Sequence, residues 1–194
     1  KIAVSYSILR FQDDHTSSSS SSSSTVLQAQ SSYVWDVVNP NTPDAELTPP
    51  SPLCCLRFNP KSPETLVGGP YNGLGTFYDL RRQGGGTPLE SSVIEKRHHD
   101  PVNDVYWISS KTGHLCAFVS TAGQMLWWDT RRLGEPVDRL VLDTDAKAGG
   151  GGVVMGGSSM EYNKEIPTKY LVGTEQGVVL SVNLRNRKSN NGIT

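Results

Sequence analysis

The chain has 194 residues, and its 18 basic side chains against 19 acidic ones leave a formal net charge of −1. Such a balance argues against a nucleic-acid or anionic-membrane partner. Glycine (19), proline (12) and serine (23) together exceed a quarter of the residues, so loops and turns are expected in quantity. No apolar run approaches the roughly 18 residues of a membrane span, and the N-terminus lacks the elements of a secretory signal; the chain reads as soluble and intracellular. Cys54 and Cys55 are adjacent and Cys116 has no evident mate, so reduced thiols in buried strands are expected rather than a disulfide or metal site. The chain opens at Lys1 with no initiator Met, and Ile2-Ala3-Val4-Ser5-Tyr6 already alternates like a strand, which reads as a piece of a longer polypeptide.

In chain order, a first strand is expected over residues 2–8. The eight serines Ser17 to Ser24 follow, a tract that cannot bury enough apolar surface to order itself. Tyr33-Val34-Trp35-Asp36 is the next strand, and Pro40 to Pro52 is a proline-rich connector. Strand-like stretches then recur at residues 53–58, 65–68, 102–108, 116–120, 159–162 and 170–174, with Gly84-Gly85-Gly86 and Ala148 to Gly157 as separators.

Three segments superimpose without gaps: Gly73 to Asp79, Gly123 to Asp129 and Gly177 to Asn183, each with six positions from the glycine to the Asp or Asn. Each glycine follows a short apolar run, so the unit reads strand, tight Gly turn, strand. An upstream strand brings each repeat to at least three strands. With Asp36 as a fourth anchor, the Asp or Asn positions lie 43, 50 and 54 residues apart, stretched from a period of roughly 40 to 45.

Trp35-Asp36, Tyr78-Asp79 and Trp128-Asp129, each closing a strand, resemble the WD dipeptide of WD40 repeats. The resemblance implies an all-β fold, a WD40 β-propeller present as about three blades plus part of a fourth from a larger ring. Its closing strands fall near residues 33–37, 74–80, 124–130 and 178–184, with flexible insertions near 13–32 and 145–158. The structural repeat positions are Trp35, Asp36, Gly73, Tyr78, Asp79, Gly123, Trp128, Asp129, Gly177 and Asn183. The acidic residue expected before the turn glycine is Asn72, Ala122 and Gln176 here, and only His98 or His99 stands for the Gly-His element. The hydrogen-bonded tetrad of ideal blades is therefore incomplete, and packing must carry more of the stability.

A closer resemblance rests on Ser51-Pro52-Leu53 leading to Phe58-Asn59-Pro60-Lys61, on Leu66-Val67-Gly68-Gly69 with Tyr71-Asn72-Gly73, on His99-Asp100-Pro101-Val102, on Ser110-Lys111-Thr112-Gly113, and on Val172-Gly173-Thr174-Glu175-Gln176-Gly177. As an ordered set these are similar to the WD40 region of dynein intermediate chains, with the best fit to intermediate chain 2 of the outer arm of the ciliary axoneme. That resemblance implies a non-catalytic scaffold. Its implied partners are a dynein heavy-chain tail, a second intermediate chain, light chains and the doublet microtubule, with no nucleic acid, membrane or cofactor. The implied location is the axoneme of a cilium or flagellum.

The search for chemistry agrees. No glycine stretch precedes Lys-Ser or Lys-Thr, Gly149 to Gly157 has Met155 where a dinucleotide motif needs its third glycine, and no Gly-x-Ser-x-Gly elbow occurs. His98-His99-Asp100 and Asp13-Asp14-His15 lack the spacing that lets adjacent residues converge on one ion. Arg81, Arg131 and Arg185 recur two positions after Asp79, Asp129 and Asn183. They are candidates for partner binding, because Trp128-Asp129-Thr130-Arg131 resembles an element of WD40 substrate receptors of cullin-4 ubiquitin ligases. Pairing of an Arg just past a strand end with a neighbouring loop is the simpler reading.

Overall fold

The computed structural model describes residues 1–6, 30–82, 86–143, 152–166, 168–186 and 193. Among these, every element but two single 3-10 turns, Ile94–Lys96 and Leu184–Asn186, is a β-strand. The first sheet holds β1 (Ile2–Val4), β2 (Ser32–Trp35) and β3 (Ala45–Leu47). The second holds β4 (Leu53–Phe58), β5 (Thr65–Pro70), β6 (Thr76–Asp79) and β7 (Glu90–Ser91). The third holds β8 (Val102–Trp107), β9 (Leu115–Ser120), β10 (Gln124–Asp129) and β11 (Asp138–Val141). The fourth holds β12 (Gly157–Tyr162), β13 (Lys169–Thr174) and β14 (Val179–Asn183).

Within each sheet the strands pair antiparallel in chain order, giving four successive meanders. The first strands of neighbouring sheets pack side by side, β1 on β4, β4 on β8 and β8 on β12, as inner strands do around a propeller axis. The chain is therefore all-β and forms part of a propeller, as the repeat implied.

Side-chain alternation explains the stacking. On β5 and β6, Leu66 and Tyr78 form one cross-strand pair and Val67 and Phe77 the next. The first pair joins Val34 and Leu47 of the first sheet, while the second joins Val105, Phe118 and Trp128 of the third. On β10, Trp128 faces back to the second sheet and Trp127 faces forward to Tyr162 and Tyr170 of the fourth. Each middle sheet is thus apolar on both faces, and burying a large apolar side chain contributes roughly 1.5–3 kcal/mol. Polar ties cross the same seams. Trp107 Nε1 donates to the Arg57 carbonyl at 3.2 Å, Asn59 Nδ2 to the Gly113 carbonyl at 2.9 Å, and the Met160 amide to Asp104 Oδ2 at 3.0 Å.

Among the described residues, nothing covers one face of each end sheet. Leu171 and Val179 are 53% and 65% exposed on the fourth sheet, opposite buried Tyr170 and Leu180. On the first sheet, Tyr6, Tyr33 and Trp35 stack in a row at 5.8 and 6.3 Å, on the face opposite buried Val34.

Three strands went unread in the sequence. β3 lies inside the proline-rich connector, and β7 and β11 are edge strands of two and four residues. Of the insertion expected near 13–32, residues 13–29, with the serine tract, lie outside the described residues. Of that near 145–158, residues 145–151 lie outside them too, whereas the Met155 amide donates to the Leu142 carbonyl at 2.9 Å and Gly157 opens β12. Gly84 and Gly85 are likewise outside the description.

Candidate docking face

The repeat glycines close one turn design three times. Gly73, Gly123 and Gly177 have φ of 80°, 69° and 79°, and each amide donates to the carbonyl three residues earlier, of Pro70, Ser120 and Thr174, at 3.1 Å. A four-residue turn ending in the left-handed region matches the three-residue hairpin loop that favours glycine there. Position matters as well as conformation. A Cβ at Gly73 would strike the His98 carbonyl and one at Gly123 would strike Val154, while the space around Gly177 is open.

The Asp or Asn six residues later has a local function that the sequence did not disclose. Its Oδ1 accepts the amide two residues on in all four repeats: Asp36 from Val38 at 3.0 Å, Asp79 from Arg81 at 3.0 Å, Asp129 from Arg131 at 3.0 Å and Asn183 from Arg185 at 3.1 Å. This is an Asx turn, which ends the strand and bends the chain into the next connection. It explains why either Asp or Asn serves, since both supply the acceptor.

The arginines occupy the same corners. Arg81 grips Asp79 through Nε at 2.9 Å and Nη2 at 2.6 Å, and Arg131 grips Asp129 through Nε at 3.0 Å and Nη2 at 2.6 Å. The guanidinium hydrogen bonds hold both carboxyls below their usual range, that of Asp129 at about 2. Both arginine side chains are more than half exposed, so solvent screens these pairs and their share of stability is small. Asn183 offers Arg185 no charge, so the third corner lacks this ion pair. Between the second and third sheets, Arg81 and Arg131 border a groove of about 500 Å³ with Lys61, Trp107 and His114.

Other candidates are spoken for by packing. Tyr78 and Trp128 are blade contacts, each 1% exposed, whereas Trp35 is half-buried and stacks on Tyr33 of its own strand, on the face opposite Val34. Cys54 is exposed rather than buried, because β4 shifts register between Leu53 and Cys55. Cys55 turns to the Val102 carbonyl at 3.7 Å, and burial drives the Cys55 and Cys116 thiols far above their ordinary range, the opposite of an activated thiolate. His98 is 1% exposed against the Phe118 ring, with neither ring nitrogen hydrogen-bonded. Its amide donates to the Gly73 carbonyl at 3.2 Å, so it backs the Gly turn without making the tetrad bond. Asn72 spends its side chain on the Leu74 amide at 3.1 Å. Among the described residues no group of three His, Cys, Asp or Glu is placed to hold a metal, and no helix is long and apolar enough to cross a membrane.

No established protein-family profile matches the chain. Curated relatives do. The chain is 47% identical over 183 residues to "Dynein intermediate chain 3, ciliary" of Heliocidaris crassispina, covering 94% of this chain and 28% of that protein. It is 42% identical over 189 residues to "Dynein axonemal intermediate chain 2" of Homo sapiens, covering 97% and 29%. It is 40% identical over 194 residues to "Dynein, 70 kDa intermediate chain, flagellar outer arm" of Chlamydomonas reinhardtii, covering 100% and 31%. The chain spans less than a third of the length of these relatives.

Proposed function

We propose a scaffold role in the ciliary outer dynein arm for this segment, which belongs by homology with the axonemal dynein intermediate chains of the intermediate chain 2 and outer-arm 70 kDa type. One observation carries the reading: identity of 40–47% over 94–100% of the chain, a span far longer than one motif. In this role the propeller holds other chains and performs no chemistry of its own. The heavy-chain tail, a second intermediate chain and light chains are the partners, and the doublet microtubule is the site of assembly. The fold suits the task, because the two middle sheets, packed on both faces, present their loops in fixed register to a partner.

The test is co-sedimentation. The full-length subunit carrying this segment, recovered from ciliated cells, is expected to bring down dynein heavy chain and axonemal doublets, and to be released by high salt where charged rims contribute to docking. A receptor of a cullin-4 ligase, the reading favoured by the Trp128-Asp129-Thr130-Arg131 match, would instead recover cullin-4 and its adaptor. Recovery of the adaptor without dynein chains refutes the scaffold role. The pairing of Arg131 with Asp129 supports the loop-corner reading of that arginine over a docking one.

A further inference from the structure

Five Ser or Thr residues stand directly before a proline: Thr42, Thr48, Ser51, Ser62 and Thr87. Such a dipeptide has a preset shape. Proline holds its own φ at about −65° and pushes the residue before it toward extended backbone, the form in which a protein kinase binds its acceptor. Proline-directed protein kinases read that dipeptide, and they reach it only where both residues are open to solvent.

The fold separates the five. Ser51 is buried, its hydroxyl accepts the Asn72 amide at 3.2 Å, and Pro52 behind it is buried too. Thr48 is exposed, but Pro49 is buried and the Thr48 amide is bonded to the Gly86 carbonyl. Ser62 is half-buried at the head of a turn, where its carbonyl accepts the Thr65 amide and the Thr65 hydroxyl, each at 2.9 Å. Thr87 is exposed with Pro88 half-buried beside it. Of the five, only Thr42-Pro43 exposes both members.

Thr42 also sits on a loop that projects. Residues 37–44, between β2 and β3, are exposed without a break, with Val37 and Val38 at 64% and 89%. Both ends are tied: the Val38 amide donates to Asp36 Oδ1 at 3.0 Å and the Asp44 amide to the Val34 carbonyl at 2.7 Å. A tied base with no buried residue between lets an enzyme reach the Thr42 hydroxyl without opening the sheet. The loop holds no Lys or Arg, and its one carboxylate, Asp44, is paired with Lys1 at 2.9 Å.

We infer that Thr42 is the acceptor of a proline-directed protein kinase. The Thr42 hydroxyl oxygen bonds to the γ-phosphorus of ATP, the bond from that phosphorus to the β,γ-bridging oxygen breaks, ADP leaves, and the hydroxyl proton passes to the enzyme's base. The product carries nearly two negative charges at neutral pH. With no cation on its own loop to fold back on, the phosphate stays displayed, and an uncharged loop tip becomes the anionic group that arginine side chains recognise. The sheet is left intact, because the two bonds that tie the loop lie at its ends. The inference goes beyond the scaffold role and does not depend on it.

The test treats the folded full-length subunit with a mitogen-activated protein kinase and Mg-ATP and locates the phosphate by tandem mass spectrometry. Thr42 is expected to be labelled at least about tenfold faster than Ser51 or Thr48, because those two accept phosphate only through local opening. Thr42→Ser should keep the label at this position, Thr42→Val should lose it, and Pro43→Ala should lose most of it. The labelled subunit should melt with the unlabelled one. A folded subunit with no phosphate on Thr42, Ser51 or Thr48 labelled as fast as Thr42, full labelling of Pro43→Ala, or a lowered melt after labelling overturns the inference. The scaffold role is read separately by dynein co-sedimentation of the unlabelled subunit, so the two ideas fail on different measurements.

Discussion

Trp127 of the third sheet donates its indole Nε1–H to the Tyr170 hydroxyl of the fourth at 3.1 Å, with the two rings edge to face at 5.7 Å. Both residues are 2% exposed, so one contact supplies apolar burial and satisfies a buried donor. Burial pushes the Tyr170 phenol up to about 12, which keeps it a neutral acceptor across the physiological range. Tyr170→Phe should lower stability of the full-length subunit by about 1–3 kcal/mol, the cost of a stranded buried donor. Trp127→Ala should cost about 3–5 kcal/mol as a core truncation. Urea unfolding followed by circular dichroism measures both, and a Tyr170→Phe protein as stable as the parent would show that water replaces the hydroxyl.

The three turn glycines share a backbone conformation but not surroundings, so their substitutions should separate. Gly177→Ala should cost about 1–2 kcal/mol, the penalty of placing an L side chain in the left-handed region. Gly73→Ala carries the same penalty and also drives a methyl group against the His98 carbonyl, so it should cost more. Thermal melts of the two variants decide the matter, and equal losses would mean that the 98–100 segment yields freely.

The turns and their flanking strands were legible in the sequence, because a left-handed glycine and a period-two apolar run are both local signals. The outer strands were not. Glu90–Ser91 has no alternation and is a strand only because β6 offers it an edge. The exposure of Cys54 was missed for a related reason, since a bulge in β4 resets which residues face the core. The Asp or Asn at each strand end was visible as a repeat, yet its bond to the amide two residues on needed coordinates to be seen. The Arg57, Tyr106 and Glu161 chain was wholly hidden, because its members sit on three sheets and meet only where inner strands pack.

His98 predicts how stability responds to acid. Burial first, then the nearby Arg139 and His99 charges, lowers its pKa from 6.5 to about 3. The unfolded chain therefore takes up a proton as pH falls below 6.5 while the folded chain does not. Stability is fully present above 6.5 and is lost as pH drops toward 3, by about 1.4 kcal/mol per unit. From pH 7 to pH 5 the loss from this residue should reach about 2 kcal/mol. His98→Leu should flatten that part of the profile, and an unchanged slope would assign it to other groups.

The uncovered end faces predict how residues 1–194 behave in isolation. Among the described residues, exposed Leu171 and Val179 at one end, and exposed Tyr6 with half-buried Tyr33 and Trp35 at the other, leave apolar sheet faces without cover, and such faces invite association. The isolated segment should bind a hydrophobic dye and self-associate, and Leu171→Lys with Val179→Lys should reduce both. A monomer that melts sharply without dye binding would show that these faces need no cover.

The arginine corners give the last test. In Asp79–Arg81 and Asp129–Arg131 the carboxylate accepts the amide two residues on and also holds the guanidinium. Arg81→Ala and Arg131→Ala each remove the exposed ion pair but leave the Asx turn, so each should lower the melt slightly and by the same amount. Asp129→Ala removes the turn acceptor too and should destabilise more, whereas Asp129→Asn should keep the turn and match Arg131→Ala, because Asn183 already forms this turn without a charge. If Arg131 instead met a partner directly, Arg131→Ala would leave the melt unchanged and lose one interaction selectively in pull-down. Parallel melts of the four variants beside quantitative co-purification separate the outcomes. Matching losses in Arg81→Ala and Arg131→Ala, with partner recovery intact, would assign both arginines to the corners of the fold.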